Sequence, residues 1–212
     1  MATPKPIAKG ELSRTPLQHV LLSILRKQLA GTLVLWTDGA ATDRLFFEGG
    51  DLQRFFVATA SADPMRALLP LFRERSGPYA FYAADLLGDA GAVGTIDTYA
   101  LVAAALRGGL PEAAAARVLR QYGDEAVRMH APHVERCGLL DRERAALDVM
   151  RAAPASSGEH LAASHEPKIT RRVLYLLAIA DALRVDAEPA EPSAPGAHPL
   201  RSLSLSPGRR SV

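Results

Sequence analysis

The residue with the clearest chemical potential in this sequence is Cys137, the only cysteine, which two histidines, His130 and His133, precede closely. A thiol beside an imidazole base is the pair that cysteine nucleophiles use, because the thiolate is the reactive form. The local sequence supplies neither a helix N-terminus that would lower the thiol pKa nor a third group that would orient the base. We therefore predict a half-buried structural cysteine. A single cysteine also excludes an intrachain disulfide and fits a reducing cytoplasm.

Pairs of histidines and of carboxylates are the candidates for metal binding or acid–base chemistry. His160 and His165 are five residues apart, whereas two imidazoles on one helix reach a common metal at spacings of about three or four. We predict that both are surface residues. Glu48 and Asp51 flank a glycine turn, where polar residues are expected without any reaction. The sequence therefore predicts no metal site and no catalytic carboxylate pair.

Three spaced glycines could indicate a nucleotide-binding loop, and a His-Pro pair could indicate a chaperone J domain. Gly88, Gly91 and Gly94 are spaced by three, without the GxGxxG spacing and the strand-to-helix setting of a dinucleotide loop. No Walker-type Gly-Lys-Ser/Thr sequence is present, and His-Pro-Leu at 198–200 lacks the aspartate of the J-domain signature. We predict that the protein is not an enzyme and has no catalytic, cofactor-binding or metal-binding residue.

Net charge and hydropathy argue against nucleic acid and membranes as partners of this protein. The 25 basic and 23 acidic side chains leave a net charge of +2, so no whole-molecule field attracts nucleic acid or anionic membrane. The longest strongly apolar run, 173–180, is far shorter than the ~20 residues of a membrane-spanning helix. Residues 1–9 lack the apolar segment of a secretory signal. We expect a cytoplasmic protein without a membrane partner.

The amino-terminal part combines helix and strand signals. Thr15-Pro16 and Asp63-Pro64 each pair a capping residue with a proline, which predicts a helix start, and apolar residues at helical spacing follow both pairs. Four β-prone segments separated by turns predict strands of a small antiparallel sheet: 32–36, 44–47, 52–58 and 79–82. The stretch 86–94 is predicted to be a glycine-rich loop.

The carboxy-terminal part has a helical period. Five helices are predicted, at 99–106, 111–122, 141–152, 156–163 and 167–182, and a brief strand at 183–185. Asp141 and Ser156 or Ser157 are the expected caps. The predicted fold is α+β: a domain at 1–94 with a small antiparallel sheet and two covering helices, an all-α, winged-helix-like domain at 95–186, and a disordered tail at 187–212.

Two adjacent aromatic pairs, Phe46-Phe47 and Phe55-Phe56, lie on neighbouring predicted strands. Successive strand side chains face opposite sides, so each pair places one ring on each face of the sheet. One interpretation is that the helices, or the helical domain, cover both faces. The other is that one face binds a partner protein, and for that function we select Phe46, Phe55 and Phe56 as candidate contact residues.

Several short sequence pieces follow one another in an order known from a family of bacterial signalling domains. They are Gly10 to Leu12, Leu17 to Leu25, Gly31 to Leu35, Leu45 to Gly50, the strand after that turn, the helix around Leu68 and Leu69, and Gly77 to Phe81. Their order resembles the PATAN (PatA amino-terminal) family. The resemblance implies a small α+β adaptor that binds other proteins, has no known catalytic residues and occurs beside receiver, chaperone J-type or repeat domains. The helices from Asp97 to Asp186 are similar to a helical or winged-helix-like extension of this domain.

DNA binding is the alternative function that the sequence raises. The last three predicted helices have the order of a helix-turn-helix unit, with Lys168, Arg171 and Arg172 at the start of the recognition helix. The continuation of that helix, 173–179, is too apolar to lie along a groove. We therefore rank nucleic acid below another protein as the partner. The leading prediction is a non-catalytic protein-interaction adaptor in bacterial intracellular signalling or regulation.

Overall fold

The computed structural model describes residues 4–37, 41–59, 61–73, 76–129 and 134–185. His130, His133, the turn around Gly39, the His-Pro-Leu sequence at 198–200 and the predicted tail at 187–212 lie outside these ranges. Across the ranges that the structure describes, no helix is both long and apolar enough to cross a membrane.

The first half of the chain builds a six-stranded, fully antiparallel sheet. Its elements are β1 (Ala8–Glu11), α1 (Leu17–Arg26), β2 (Gly31–Thr37), β3 (Ala41–Glu48), β4 (Asp51–Phe56), α2 (Pro64–Leu68), β5 (Pro78–Tyr82) and β6 (Ala92–Ile96). The strand order is β1-β5-β2-β3-β4-β6. The four predicted strands are present, and β1 and β6 add one strand at each edge of the sheet. The loop predicted at 86–94 was wrong in its last part, because residues 92–94 belong to β6 and pair with β4.

The second half is mainly helical. Its elements are α3 (Thr98–Gly108), α4 (Glu112–Leu119), β7 (Ala126–Met129), α5 (Asp141–Ala152), β8 (Ala155–Ser156), α6 (Ser157–Ala163), α7 (Pro167–Ile179) and β9 (Leu183–Val185). The three short strands form an antiparallel sheet of order β8-β7-β9. The predicted α+β class is confirmed, as is the brief strand β9. The strands β7 and β8 were not predicted in the part expected to be all-α.

Side chains and backbone contacts explain where several helices begin. The Asp63 carboxylate accepts from the Met65 amide at 2.9 Å at the start of α2, as predicted. Ser156 caps α6 by accepting from the Glu159 amide at 3.2 Å, also as predicted. The predicted caps of α1 and α5 were wrong. α1 begins after Pro16 without a side-chain cap, and before α5 the Leu140 amide donates to the Glu143 carboxylate at 3.0 Å.

One buried cluster connects the large sheet to the helices. It contains inner residues of β2, β3 and β4 together with the apolar faces of α1, α3 and α7. α7 lies at the centre of the second half, where α4 and α5 pack against it. The predicted domain boundary after Gly94 falls inside β6, which belongs to the large sheet. The division into 1–94 and 95–186 remains a prediction.

The turn between β3 and β4 packs directly against the end of α1. The Gly50 amide donates to the Leu29 carbonyl at 3.0 Å. A side chain on Gly50 would meet the Leu25 backbone at 2.8 Å, and Gly50 has φ +88. Only glycine fits both the close approach and the left-handed backbone. This contact fixes the helix over one face of the sheet.

Candidate interaction surface

The six-stranded sheet has a buried inner face. Its inner residues are almost completely buried: Leu33, Leu35, Leu45, Phe47, Leu52, Phe55 and Phe81. Leu52 and Phe55 both point inward although they are three residues apart, because the pairing with β3 shifts register between them. The helices of the core cover this side. The inner face is therefore the core of the protein.

The outer face is built by the alternate residues of the same strands. Strand register aligns five of them in one row across the sheet, Tyr82, Thr32, Phe46, Arg54 and Val93. Arg54 lies over the Phe46 ring, with its guanidinium carbon 4.7 Å from the ring centroid. This geometry is a cation–π contact. The alternation predicted for the phenylalanine pairs is confirmed.

A segment that we call the cover loop, residues 83–91, binds part of the outer face. The Thr32 hydroxyl donates to the Ala84 carbonyl at 2.8 Å and accepts from the Leu86 amide at 2.9 Å. Arg44 donates to the Leu86 carbonyl at 3.0 Å. Arg54 forms an ion pair with Asp85. Burial opposes ionisation of Asp85, but hydrogen bonds from Arg54 and two loop amides hold its pKa below the usual value. The cover loop is thus fixed by polar contacts.

Beyond the cover loop, an apolar group of residues stays exposed at the β4–β6 end of the sheet. We call Phe46, Phe56 and Val93 the outer patch. Phe56 is 54% exposed and Val93 is 80% exposed, while Phe46 is half-buried under Arg54. A depression of about 530 Å³ adjoins Phe56 and reaches Thr59. Large exposed apolar side chains grouped on one surface are typical of a binding site.

The three phenylalanines predicted to contact a partner therefore differ in position. Phe56 is exposed, Phe46 is partly accessible, and Phe55 is 4% exposed within the core. Phe55 is corrected to a core residue, because its place in β4 pairs it with Leu45 and turns its ring to the inner face. The sequence analysis missed Val93, since it assigned that residue to a loop.

A second surface feature lies at the opposite edge of the sheet. We call it the edge groove. It has a volume of about 890 Å³ and is lined by residues of β1, β2 and β5, among them Lys9, Trp36, Pro78, Tyr79 and Tyr82. The Tyr79 ring packs over the backbone of β1, where a side chain on Gly10 would lie 2.6 Å from the phenolic oxygen. Glycine in an edge strand thus allows the aromatic ring to cover it.

The candidate nucleophile is buried. Cys137 has no exposed surface, and burial, together with the nearby Asp97 carboxylate, raises the pKa of its thiol to about 12. At neutral pH the thiol is therefore protonated. The predicted half burial of Cys137 was wrong, because the side chain is completely buried. Its structural role remains a prediction, which this burial supports. His130 and His133 lie outside the described residues.

The remaining titratable candidates are separated from one another. His165 is exposed as predicted. His160 is buried, so its assignment to the surface was wrong, and burial lowers its pKa. Glu48 is exposed, whereas Asp51 forms an ion pair with Arg136 at 3.6 Å. Among the residues that the structure describes, no three His, Cys, Asp or Glu side chains are grouped so that they could hold a metal ion.

The predicted DNA-binding residues lie in the first two turns of α7, in three different environments. Lys168 is exposed. Arg171 forms an ion pair with Glu112 at 3.1 Å, and Arg172 forms one with the buried Glu143 at 3.0 Å. From Val173 to Leu177 every side chain is buried. Most of α7 therefore belongs to the core, which favours a structural role for Arg172.

Two partly buried polar contacts were not predicted from the sequence. Glu143 is 3% exposed and accepts from Arg107 at 2.8 Å as well as pairing with Arg172. The His19 imidazole and the Tyr175 hydroxyl are 2.7 Å apart and connect α1 to α7. These partners are 36 and 156 positions apart in the chain. Hydrophobic periodicity predicts local helices and strands, but it does not show which distant residues meet in the fold. No sequence pattern therefore indicates such pairs.

Comparison with known proteins gives no relative for this chain. No protein-family model matches it, no curated protein matches it, and no solved structure matches it. The resemblance to the PATAN family therefore remains a prediction from the sequence pieces described above.

Proposed function

We propose that this protein is a non-catalytic adaptor in bacterial intracellular signalling or regulation, and that the outer patch contacts its protein partner. The observation that carries this proposal is the exposure of Phe56 and Val93 on a sheet whose other face is fully covered. Aromatic side chains on a rigid sheet supply contact area with little ordering cost, and such residues dominate the energetics of interfaces. The PATAN-like order of the sequence supports the same function.

The surroundings of the outer patch suit a partner that forms apolar contacts framed by polar ones. Arg54 and Asp85 pair beside it, and Gln53 accepts from the Thr95 hydroxyl at 2.9 Å on the neighbouring strand pair. Interfaces commonly have an apolar centre with a polar rim. The cover loop stabilises the rim without covering Phe56.

Site-specific photo-crosslinking tests this proposal. A photoreactive phenylalanine analogue replaces Phe56 in the full-length protein, which is expressed in its native cytoplasm. The control carries the analogue at Val149, which is 71% exposed on α5. We expect one specific crosslinked protein at Phe56 that is absent at Val149. The same products at both positions, or none at Phe56, would contradict the proposal.

DNA binding is a second candidate, favoured by the arrangement of the last elements. β8 precedes α6, β9 follows α7, and both strands join β7 in one sheet, an order compatible with a helix-turn-helix unit. Exposed Lys168 would contact phosphate, so Lys168→Ala should weaken salt-sensitive DNA binding without changing stability. Absence of any gel shift at low salt would reject this candidate.

A further inference from the structure

The edge groove combines features that suit an extended, proline-rich ligand. Trp36 and Tyr82 project from neighbouring strands on the outer face, and Pro6 and Pro78 lie with them along the lining. Trp36 and Tyr82 are both partly exposed. Aromatic-lined grooves bind polyproline II segments, because flat rings pack against the proline rings of a helix that is ordered before it binds.

The chain itself contains a segment with the matching periodicity. Pro189, Pro192 and Pro195 occur at every third position, and Glu188 and Glu191 share that spacing. A polyproline II helix has about three residues per turn, so the three prolines would lie on one side and the two glutamates on another. This segment begins shortly after β9, which ends at Val185.

Charge and length are both compatible with binding of this segment. Lys9 lines the groove and is exposed, and exposed Lys5 directly precedes Pro6 of the lining. Both lysines would attract Glu188 and Glu191. The lining also contains one acidic residue, Glu11, which would repel these glutamates. At about 3.1 Å per residue, the seven residues from 189 to 195 span roughly 20 Å. This length is enough to cross the three strands that line the groove, whose combined width is about 14 Å at about 4.8 Å each.

We propose that the edge groove binds segment 188–195 of this chain as a polyproline II helix. The outer patch lies at the other end of the sheet, so this inference does not depend on the proposed adaptor function. A tethered segment has an effective concentration on the order of millimolar. The segment would therefore occupy the groove even if the isolated peptide binds weakly, and a protein with a similar proline spacing would compete with it.

Tryptophan fluorescence of the full-length protein tests the proposal directly, because Trp36 is the only tryptophan. The test variant replaces Pro189, Pro192 and Pro195 with alanine. The matched control replaces Pro199 and Pro207, which lie outside the three-residue repeat. We expect acrylamide quenching of Trp36 to rise about twofold in the test variant, since the bound segment no longer shields the ring, and to stay unchanged in the control.

Addition of a synthetic peptide with the sequence of 186–197 to the test variant should restore the wild-type quenching. A scrambled peptide that breaks the three-residue spacing should have no effect. Quenching that does not depend on protein concentration would show that the segment comes from the same molecule, as proposed. Quenching that depends on protein concentration would show that a second copy supplies the segment, and it would overturn binding of the tethered segment.

Charge reversal supplies an independent readout. Lys5→Glu with Lys9→Glu should raise the quenching, and adding Glu188→Lys and Glu191→Lys should lower it again, because opposite charges are then restored across the groove. Amide chemical shifts of Gly10, Tyr79 and Tyr82 provide a second measurement on the wild type and the proline variant. Equal quenching together with equal shifts in these two proteins would overturn the proposal.

Discussion

The two faces of the six-stranded sheet are made by the same strands but have different roles. On the inner face, Phe47 and Leu45 are fully buried against the helices. On the outer face, Phe46 lies under Arg54 and Phe56 remains largely exposed. Both faces are rich in aromatic residues, so hydrophobicity alone does not separate them. The comparison shows that the position of a residue matters more than its type. A side chain that the helices cover stabilises the fold, whereas a side chain on the other face remains available to a partner.

The largest expected effect is the loss of an inner aromatic ring. Phe47→Ala should lower the free energy of unfolding by about 3–5 kcal/mol, because it removes buried surface and leaves a cavity. Phe56→Ala should change it by less than about 1 kcal/mol, since that ring is mostly in water already. Urea unfolding of both variants measures the difference. Equal destabilisation would show that the two faces do not differ in this way.

Glu143 is a buried polar residue in the second half of the protein, and its loss should also destabilise the fold. Glu143→Gln should destabilise by roughly 3 kcal/mol, because Arg107 and Arg172 then lose the buried carboxylate that pairs with them. Asp148→Asn on the exposed side of the same helix is the control, and it should change the stability by less than about 0.5 kcal/mol. A variant at Glu143 as stable as this control would show that the polar cluster contributes nothing to the fold.

The pH dependence of this effect follows from the pKa of Glu143. Burial opposes its ionisation, but the hydrogen bonds from Arg107 and the Leu140 amide lower the folded pKa below the usual 4.5. The stabilisation is therefore present above pH 4.5 and is lost as the pH falls through the lower, folded pKa. Glu143→Gln should remove this part of the acid sensitivity, which urea midpoints measured between neutral pH and pH 3 would show.

The contact between His19 and Tyr175 should also make the free energy of unfolding fall as the pH falls, but by less than Glu143 does. Burial, with Arg117 and Arg26 nearby, lowers the pKa of His19 from 6.5. Below that pH the unfolded chain binds a proton that the folded protein does not, so the free energy of unfolding decreases as the pH falls from 6.5 towards the folded pKa. Tyr175→Phe should itself cost about 1 kcal/mol.

Urea unfolding of His19→Gln across this pH range measures the histidine contribution. The pH dependence should become shallower in this variant and should be unchanged in His165→Gln, an exposed control. Buried His160 shifts in the same direction, so part of the dependence should remain in His19→Gln. An unchanged slope in His19→Gln would contradict the role assigned to this imidazole.

The smallest effect concerns reactivity rather than stability. Because burial raises the pKa of Cys137 to about 12, a thiol reagent at pH 8 should not label the folded protein and should label it fully in urea. Rapid labelling under native conditions would contradict the buried position of this residue.

The sequence predicted the inner and outer alternation because a strand has a period of two, which the Phe46-Phe47 and Phe55-Phe56 pairs display. It also located the caps at Asp63 and Ser156. It missed β6, because the spaced glycines Gly88, Gly91 and Gly94 resemble a loop and because the pairing of β6 with β4 is a distant contact. It placed Phe55 on a partner surface because alternation does not state which face the helices cover. The ion pairs of Glu143 depend on how three helices pack, which no local pattern records.

The most direct test of the central claim is the affinity of the photo-crosslinked partner for three full-length proteins: the wild type, Phe56→Ala and Val149→Ala. Phe56 and Val149 are both largely exposed, so neither change should alter the unfolding midpoint much. If the outer patch contacts the partner, Phe56→Ala should raise the dissociation constant about tenfold or more, as the loss of a central aromatic contact does. Val149→Ala should leave the dissociation constant unchanged. Equal affinity of all three proteins would contradict the assignment of the outer face as the binding surface.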